Sequence, residues 1–174
     1  MALVYKRQST ADAHLKVYVD SDHAGDLLTR RSTSGLCIMR GTHLLRHSST
    51  LQVPIGLNSG ESEYDALVHG AAYSLGTQAM HEYWGLSLTL TILSDRSSDR
   101  SFSKRRGLGK QRHVQTRFLW LQDRVKLQHL TVHVVKGTEN PADVLTKALT
   151  RNDIMKSMRW LGLEDRSGCA NSHH

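Results

Sequence analysis

A chain of 174 residues, of which 39% are hydrophobic and 22% charged, is long enough for one globular domain and too apolar for a disordered segment. It contains no apolar run near the ~20 residues of a membrane span, and its N-terminus lacks a signal-peptide core. We therefore expect a soluble, intracellular protein without a membrane partner, and the composition does not distinguish cytoplasm from nucleus. The net charge of +7 favours a polyanionic partner.

The pattern along the chain predicts one domain between short flanking segments. Residues 1–14 are polar without sustained periodicity and are expected to form an N-terminal arm. The patterns that follow predict a domain over 15–150, a C-terminal helix over 151–163 and a flexible tail over 164–174. No internal repeat or low-complexity tract interrupts this order.

The first strand is predicted over 15–22, where apolar and polar residues alternate. Leu15, Val17 and Val19 share one face of this strand, and the residues between them share the other. Asp20 lies at the end of the strand, where desolvating a carboxylate is costly unless a cation, water or a hydrogen-bond donor meets it. Asp20 is accordingly a candidate site residue, although a solvated strand end before a turn explains it equally well.

Four more strands are predicted further along the chain. Gly41-Thr42 joins strands over 33–40 and 43–49, and so tight a connection indicates an antiparallel hairpin. Apolar runs predict two later strands, over 88–93 and 130–135.

Helices alternate with the later strands. Apolar residues at spacings of three and four predict amphipathic helices over about 60–83 and 113–126. A third helix is predicted from Asn140, which would be its cap with Pro141 at its first position, and a last helix over 153–163. Three strands followed by alternating helices and strands predict a mixed α/β sheet with helices on its faces.

Four carboxylates occupy comparable positions on separate predicted elements. Asp20 and Asp95 lie at strand ends, whereas Glu63 and Asp143 lie in first helical turns. Each has a simpler explanation, because negative charge in a first helical turn stabilises the helix dipole, and Glu61 fits that role as well. Hydrolysis of a phosphodiester by two metal ions nevertheless needs several hard oxygen ligands that converge from separate elements. The four carboxylates therefore form one candidate constellation.

Five motifs span nearly the whole predicted domain. They are Tyr18–Asp26, Arg31–Gly35, Glu61–Leu67, Ser94-Asp95 and Asn140–Lys147. With these motifs in this order and spacing, the chain resembles the ribonuclease H domain at the end of copia-type retrotransposon polyproteins.

The resemblance implies a fold, a metal site and a substrate. The fold would be α/β and RNase H-like, with a five-stranded mixed sheet whose first three strands are antiparallel, flanked by helices. Asp20, Glu63, Asp95 and Asp143 would be the catalytic residues and would bind two Mg²⁺ ions, with Mn²⁺ as a substitute. Glu63 is preferred to Glu61 because the aromatic and apolar residues of the family motif follow it directly. Similar enzymes cleave the RNA strand of an RNA–DNA hybrid, with one ion activating water and the other stabilising the leaving 3′ oxygen.

The resemblance also implies a partner, and it leaves the activity of this chain open. In such polyproteins the domain normally follows a reverse transcriptase domain, which would be its partner. One alternative is a retroelement remnant that folds but has little or no catalytic activity. Another is a module that binds nucleic acid without cleaving it.

Positive charge is concentrated in one window of the chain. Residues 96–117 contain eight basic residues and one acidic residue, and the rest of the chain is neutral with 15 of each. Such a run is commonly a solvated face, but this one begins directly after Asp95. We therefore expect it to contact the phosphate backbone of the substrate without reading bases. The residues expected to make these contacts are Lys104, Arg105, Arg106, Lys110 and Arg112.

Overall fold

The computed structural model describes residues 2–5, 13–95 and 116–164. The strands are β1 Ala2–Leu3, β2 His14–Ser21, β3 Thr33–Arg40, β4 His43–Leu51, β5 Thr89–Ser94, β6 Thr131–Val134 and β7 Leu163–Glu164. The helices are α1 Ser59–Tyr83, α2 Thr116–Lys126 and α3 Arg151–Trp160, with 3₁₀ helices over Gly137–Glu139 and Pro141–Leu145. Among the described helices, none combines the length and the hydropathy that a membrane crossing requires.

The central sheet has five strands in the order β4-β3-β2-β5-β6. The first three in sequence, β2, β3 and β4, are antiparallel neighbours, and β5 and β6 are added in parallel to β2. Parallel neighbours require crossover connections, which here contain α1 and α2. The predicted mixed α/β sheet and its antiparallel first three strands are thus confirmed.

Strand β2 is buried on both faces because helices cover both sides of the sheet. Leu15, Val17 and Val19 belong to the larger core, which lies on the side of α1 and α2. Tyr18 belongs to the smaller core on the other side, together with Ala142 of the second 3₁₀ helix. Side chains that alternate along β2 therefore enter two different cores, which explains why both faces of this strand are largely buried.

Two segments differ from the sequence predictions. The α-helix expected from Asn140 is instead the 3₁₀ helix Pro141–Leu145, and α3 begins separately at Arg151. Tertiary contacts explain the difference, because Asn140 and Thr146, at the two ends of the 3₁₀ helix, hydrogen-bond to β2. The two-residue pairing of β1 with β7 is also absent from the predictions, since such short strands have no periodicity to detect.

Candidate active site

Three carboxylates from separate elements meet at one end of the sheet. Asp20 lies in β2, Glu63 lies in the first turns of α1, and Asp95 directly follows β5. Each offers one oxygen, and these oxygens all lie within 4.8 Å of one another. Asp20 and Glu63 are buried, and Asp95 is half-buried. The structure thus brings together three of the four carboxylates predicted to form a constellation.

Sheet register accounts for the meeting of Asp20 and Asp95. The parallel pairing of β2 with β5 aligns Tyr18 with Leu93. Two residues further on, the same alignment sets Asp20 beside Asp95. The carboxyl ends of adjacent parallel strands are the usual location of ligand sites in such sheets.

A network of hydrogen bonds positions the start of α1 and therefore Glu63. The Gln52 side-chain amide donates to Ser34 Oγ at 2.9 Å and to the Ser62 carbonyl at 2.8 Å. The hydroxyls of Ser32 and Ser62 lie 2.8 Å apart. All four of these polar residues are buried, so each hydrogen bond satisfies a group that water cannot reach. No local sequence pattern indicates this network, because its members come from separate segments of the chain.

Asp143 approaches the site from the second 3₁₀ helix, which Asn140 attaches to β2. The Asn140 amide donates to the Val19 carbonyl at 2.9 Å, and its oxygen accepts from the Ala142 N–H at 3.2 Å. A glycine makes this close approach feasible, since a Cβ at Gly35 would lie 2.8 Å from the Ala142 carbonyl oxygen. Gly35 is also the register partner of Asp20, so the 3₁₀ helix lies directly beside that carboxylate.

Lys147 links Asp143 to Asp20. Its Nζ lies 2.9 Å from Asp143 Oδ1 and 3.2 Å from Asp20 Oδ2. The hydroxyl of Thr146 donates a hydrogen bond to the same carboxylate of Asp20. Asp143 is therefore next to the three-carboxylate group, but a lysine ammonium lies between it and Asp20.

The environment shifts the pKa values of this pair. Burial raises the pKa of Asp20 to about 6, although the hydrogen bond from Thr146 and the charge of Lys147 oppose the shift. Burial acts to lower the pKa of Lys147, but its contacts with Asp143 and Asp20 outweigh that effect and raise it to about 12. The ammonium form of Lys147 is thus strongly favoured in the folded protein.

The residues at this site fit a divalent cation. Asp95 Oδ1 is buried and has no hydrogen-bond partner among the described residues, as expected for an oxygen that coordinates an ion. Three carboxylates in close contact repel one another unless a cation or protons neutralise them. Carboxylate oxygens are the ligands that Mg²⁺ and Mn²⁺ prefer. The donor set, the unpartnered oxygen and the burial together suit such an ion.

Glu61 and the residues of the basic window remain to be placed relative to the carboxylate group. Glu61 caps α1, because its carboxylate accepts from the Leu57 N–H at 2.9 Å and from the Asn58 amide at 3.0 Å. Arg117, at the end of the basic window, forms an ion pair with Asp65 at 2.7 Å. The five residues expected to contact the phosphate backbone lie outside the described residues. They are Lys104, Arg105, Arg106, Lys110 and Arg112.

Thr146 and Lys147 contact Asp20 and were not among the predicted site residues. Both belong to the last of the five motifs, but no role was attached to them. The spacing of Asp143 and Lys147, four residues apart, was a detectable signal for an ion pair. Their contacts with Asp20 join residues more than 120 positions apart, which no local pattern predicts.

Sequence comparisons identify relatives that this chain matches over only part of their length. No protein-family model matches the chain. It is 29% identical over 155 residues, or 88% of its length, to the Retrovirus-related Pol polyprotein from transposon TNT 1-94 of Nicotiana tabacum. It is 39% identical over 59 residues, or 34% of its length, to an uncharacterised mitochondrial protein of Arabidopsis thaliana. The chain spans 12% of the first relative and 25% of the second.

Solved structures of a ribonuclease H have the same fold as this chain. LC11-RNase H1, isolated from compost, matches with a TM-score of 0.59 at 16% identity, covering 84% of this chain and 99% of that one. The same enzyme in complex with an RNA/DNA hybrid matches with a TM-score of 0.51 at 15% identity, covering 76% and 93%. The chain thus has the RNase H-like fold and is similar to a retrotransposon Pol polyprotein, which confirms the resemblance that its five motifs predict.

Proposed function

We propose that this chain is a metal-dependent endoribonuclease that cleaves the RNA strand of RNA–DNA hybrids. The observation that carries the proposal is the meeting of Asp20, Glu63 and Asp95, from three separate elements, within 4.8 Å. The fold supports it, because structural neighbours are ribonucleases H and one of them was solved with an RNA/DNA hybrid. Two Mg²⁺ ions, or Mn²⁺ in their place, are the proposed cofactors.

The proposed reaction is hydrolysis of a phosphodiester bond in the RNA strand, and the carboxylates would hold the ions that it needs. Water adds to the phosphorus, the bond from phosphorus to the 3′ oxygen breaks, and the products carry a 5′-phosphate and a 3′-hydroxyl. When bound, the ions would activate the water and stabilise charge on the leaving oxygen. Asp20, Glu63 and Asp95 would supply ligands, and Asp143 would complete the set. Thr146 orients Asp20 through its hydrogen bond.

The similarity to a Pol polyprotein suggests the natural context of this activity. We propose that the chain is the C-terminal module of a copia-type Pol polyprotein and that the reverse transcriptase domain of the same polyprotein is its partner. The sequence match covers most of this chain and 12% of that polyprotein, as expected for one module of several. In this context the partner would synthesise the hybrid that the module then degrades.

The basic window is proposed as the surface that holds the hybrid. Lys104, Arg105, Arg106, Lys110 and Arg112 would contact phosphates, which position a duplex without specifying its sequence. What supports this proposal is the charge of the window and its place in the sequence, where it starts directly after Asp95.

A cleavage assay run beside a binding assay tests the proposal. The RNA strand of a hybrid carries an end label, and the chain is added with Mg²⁺, with Mn²⁺ or with EDTA; duplex DNA serves as the control substrate. We expect metal-dependent cuts in the RNA and intact duplex DNA, because the 2′-hydroxyl distinguishes an RNA strand. Binding without cleavage would favour a nucleic-acid-binding module, and the absence of both would favour an inactive remnant. Equal cleavage of duplex DNA would indicate a general nuclease.

A further inference from the structure

Lys147 makes a contact that an ordinary surface ion pair would not make. Its pairing with Asp143, four residues earlier, is common on helical surfaces. Its Nζ also reaches both oxygens of Asp20, at 3.2 and 3.3 Å, although Asp20 belongs to a central strand 127 residues away. The Asp20 side chain is 1% exposed and the Lys147 side chain 42% exposed, so a partly exposed lysine reaches a buried carboxylate.

Electrostatics gives a reason for this arrangement. Asp20 and Asp143 repel each other, and Asp20 cannot be stabilised by water. Removing the only positive partner of a buried carboxylate is strongly destabilising, because the charge is left uncompensated. Among the described residues, Lys147 is the one cation within ion-pair distance of either carboxylate. Its ammonium therefore lies where a bound ion would otherwise neutralise them.

Asp95 and Asp143 lie on different sides of the carboxylate group and differ in their contacts with the described residues. Asp95 Oδ1 has no hydrogen-bond partner among the residues that the structure describes, whereas Asp143 is already paired with Lys147. A cation that uses Asp143 together with Asp20 must therefore compete with the ammonium group, while no cation of the described residues is paired with Asp95.

We propose that Lys147 is an internal cation that holds Asp20 and Asp143 together and competes with a divalent ion for them. The inference rests on the proposed function, because it assumes that the carboxylate group binds metal. Lys147 stabilises the metal-free protein and weakens metal binding on the Asp143 side. A metal ion that binds there displaces the ammonium group toward solvent, which its partial exposure permits. Lys147 is thus a positioning residue for Asp20 and Asp143.

The variant K147M tests this role, with K156M as its matched control. Methionine keeps much of the length and apolar character of lysine and removes the charge. Lys156 is exposed, and its ammonium donates to the Thr138 carbonyl at 2.9 Å, so K156M causes the same change in net charge away from Asp20. Both variants and the wild-type protein are melted in EDTA and titrated calorimetrically with Mg²⁺ and with Mn²⁺.

We expect K147M to melt at a lower temperature than wild type in EDTA and to bind metal about tenfold more tightly, a change of about 1.4 kcal/mol in binding free energy, because the competing ammonium group is gone. K156M should match wild type in both measurements. K147R should keep the melting temperature and the metal affinity of the wild-type protein, because it keeps the charge. This variant also provides a folded comparison if K147M does not fold.

Two results would overturn the inference in distinguishable ways. If wild type binds metal and K147M binds it with the same affinity, Lys147 does not compete and the proposed function stands. If none of the folded proteins binds Mg²⁺ or Mn²⁺, the proposed metal site itself is wrong, and the inference fails with it.

Discussion

Glu61 and Glu63 are two residues apart at the start of α1 and make different contacts. Glu61 caps the helix through Leu57 and Asn58, and Glu63 is buried beside Asp20 and Asp95. The Asn58 side-chain oxygen accepts from the Glu61 N–H and the Asn58 amide donates to the Glu61 carboxylate, so both side chains stabilise the helix start. The chain therefore contains two glutamates of the same size, one with a structural role and one with a proposed metal role.

This pair allows a prediction at the scale of one residue. E63Q should abolish the rise in melting temperature that Mg²⁺ or Mn²⁺ causes, because the amide loses both charge and ligand strength. E61Q should keep that rise and should lower stability by about 0.5–1 kcal/mol with and without metal, since it weakens the cap. Thermal melts in EDTA and in each metal separate the two effects. A metal-dependent rise in E63Q equal to that of wild type would remove Glu63 from the site.

His69 supports a second prediction at this scale, on the dependence of stability on pH. It lies in α1 beside a cavity of about 330 Å³ that Asp65 and Arg117 also line. Its Nδ1 is buried without a partner among the described residues, and its ring packs edge-on against Tyr73. Burial lowers the pKa of His69 below 6.5, and the charge of Arg46 lowers it further. The neutral form of His69 is thus favoured in the folded state.

The sign of the effect follows from linkage. The unfolded chain takes up a proton on His69 near pH 6.5, and the folded chain takes it up only at lower pH. Stability that wild type has above pH 6.5 is therefore lost as the pH falls toward the folded pKa. Glutamine cannot take up a proton, so we expect the stability of H69Q to lack this dependence on pH. Urea unfolding at pH 7.5, 6.5 and 5.5 should show a stability difference between wild type and H69Q that shrinks as pH falls, and a constant difference would contradict the assignment.

At the scale of elements, the packing of α1 on β2 depends on Gly70. A Cβ at Gly70 would lie 2.5 Å from Val19 Cγ1, which is too close for any real contact. At Gly76, later in the same helix, a Cβ would meet nothing within 4 Å. These two glycines make a matched pair, because alanine improves helix propensity equally at both positions.

We expect G70A to destabilise the fold by about 1–3 kcal/mol, since overpacking forces α1 away from β2. G76A should stabilise it by about 0.5–1 kcal/mol through helix propensity alone. The free energies of unfolding in urea test both values. A G70A variant as stable as G76A would mean that α1 is not held against Val19.

Local patterns predict some of these elements well and others poorly. Strands β3 and β4 were predictable because Gly41-Thr42 marks a tight turn between two runs of strand length, and the positive φ of 56° at Gly41 is one that glycine readily adopts. The segment after Asn140 was predictable only in part. Its cap and proline indicate where a helix begins, but contacts with β2 limit it to Pro141–Leu145. Three of the carboxylates could be chosen from strand ends and helix starts, whereas the bridge from Lys147 to Asp20 depends on tertiary structure.

At the scale of the whole molecule, the uneven distribution of charge leads to a prediction about binding. The net charge of +7 resides in residues 96–117. Neutralising Lys104, Arg105 and Arg106 together should weaken hybrid binding equally for all sequences. The slope of log affinity against log salt concentration should become shallower by roughly 2–3 units if all three contact phosphates.

The control for this experiment removes the same charge elsewhere. Neutralising Arg151, Lys156 and Arg159, which are exposed on α3, changes the net charge equally and should leave the slope unchanged. Fluorescence anisotropy over a range of salt concentrations gives both slopes. An unchanged slope in the variant of residues 104–106 would mean that this part of the window does not contact the substrate.

The most direct test of the central claim is the rate at which D20N cleaves the RNA strand of a hybrid in Mg²⁺. Asp20 is the most buried member of the carboxylate group, and asparagine keeps its shape while removing its charge. D22N is the matched control, because Asp22 lies two residues further on, outside the group, and accepts a hydrogen bond from the Thr33 N–H. We predict that D20N folds and loses orders of magnitude in rate, while D22N keeps most of the wild-type rate. Cleavage by D20N at the wild-type rate would contradict the account.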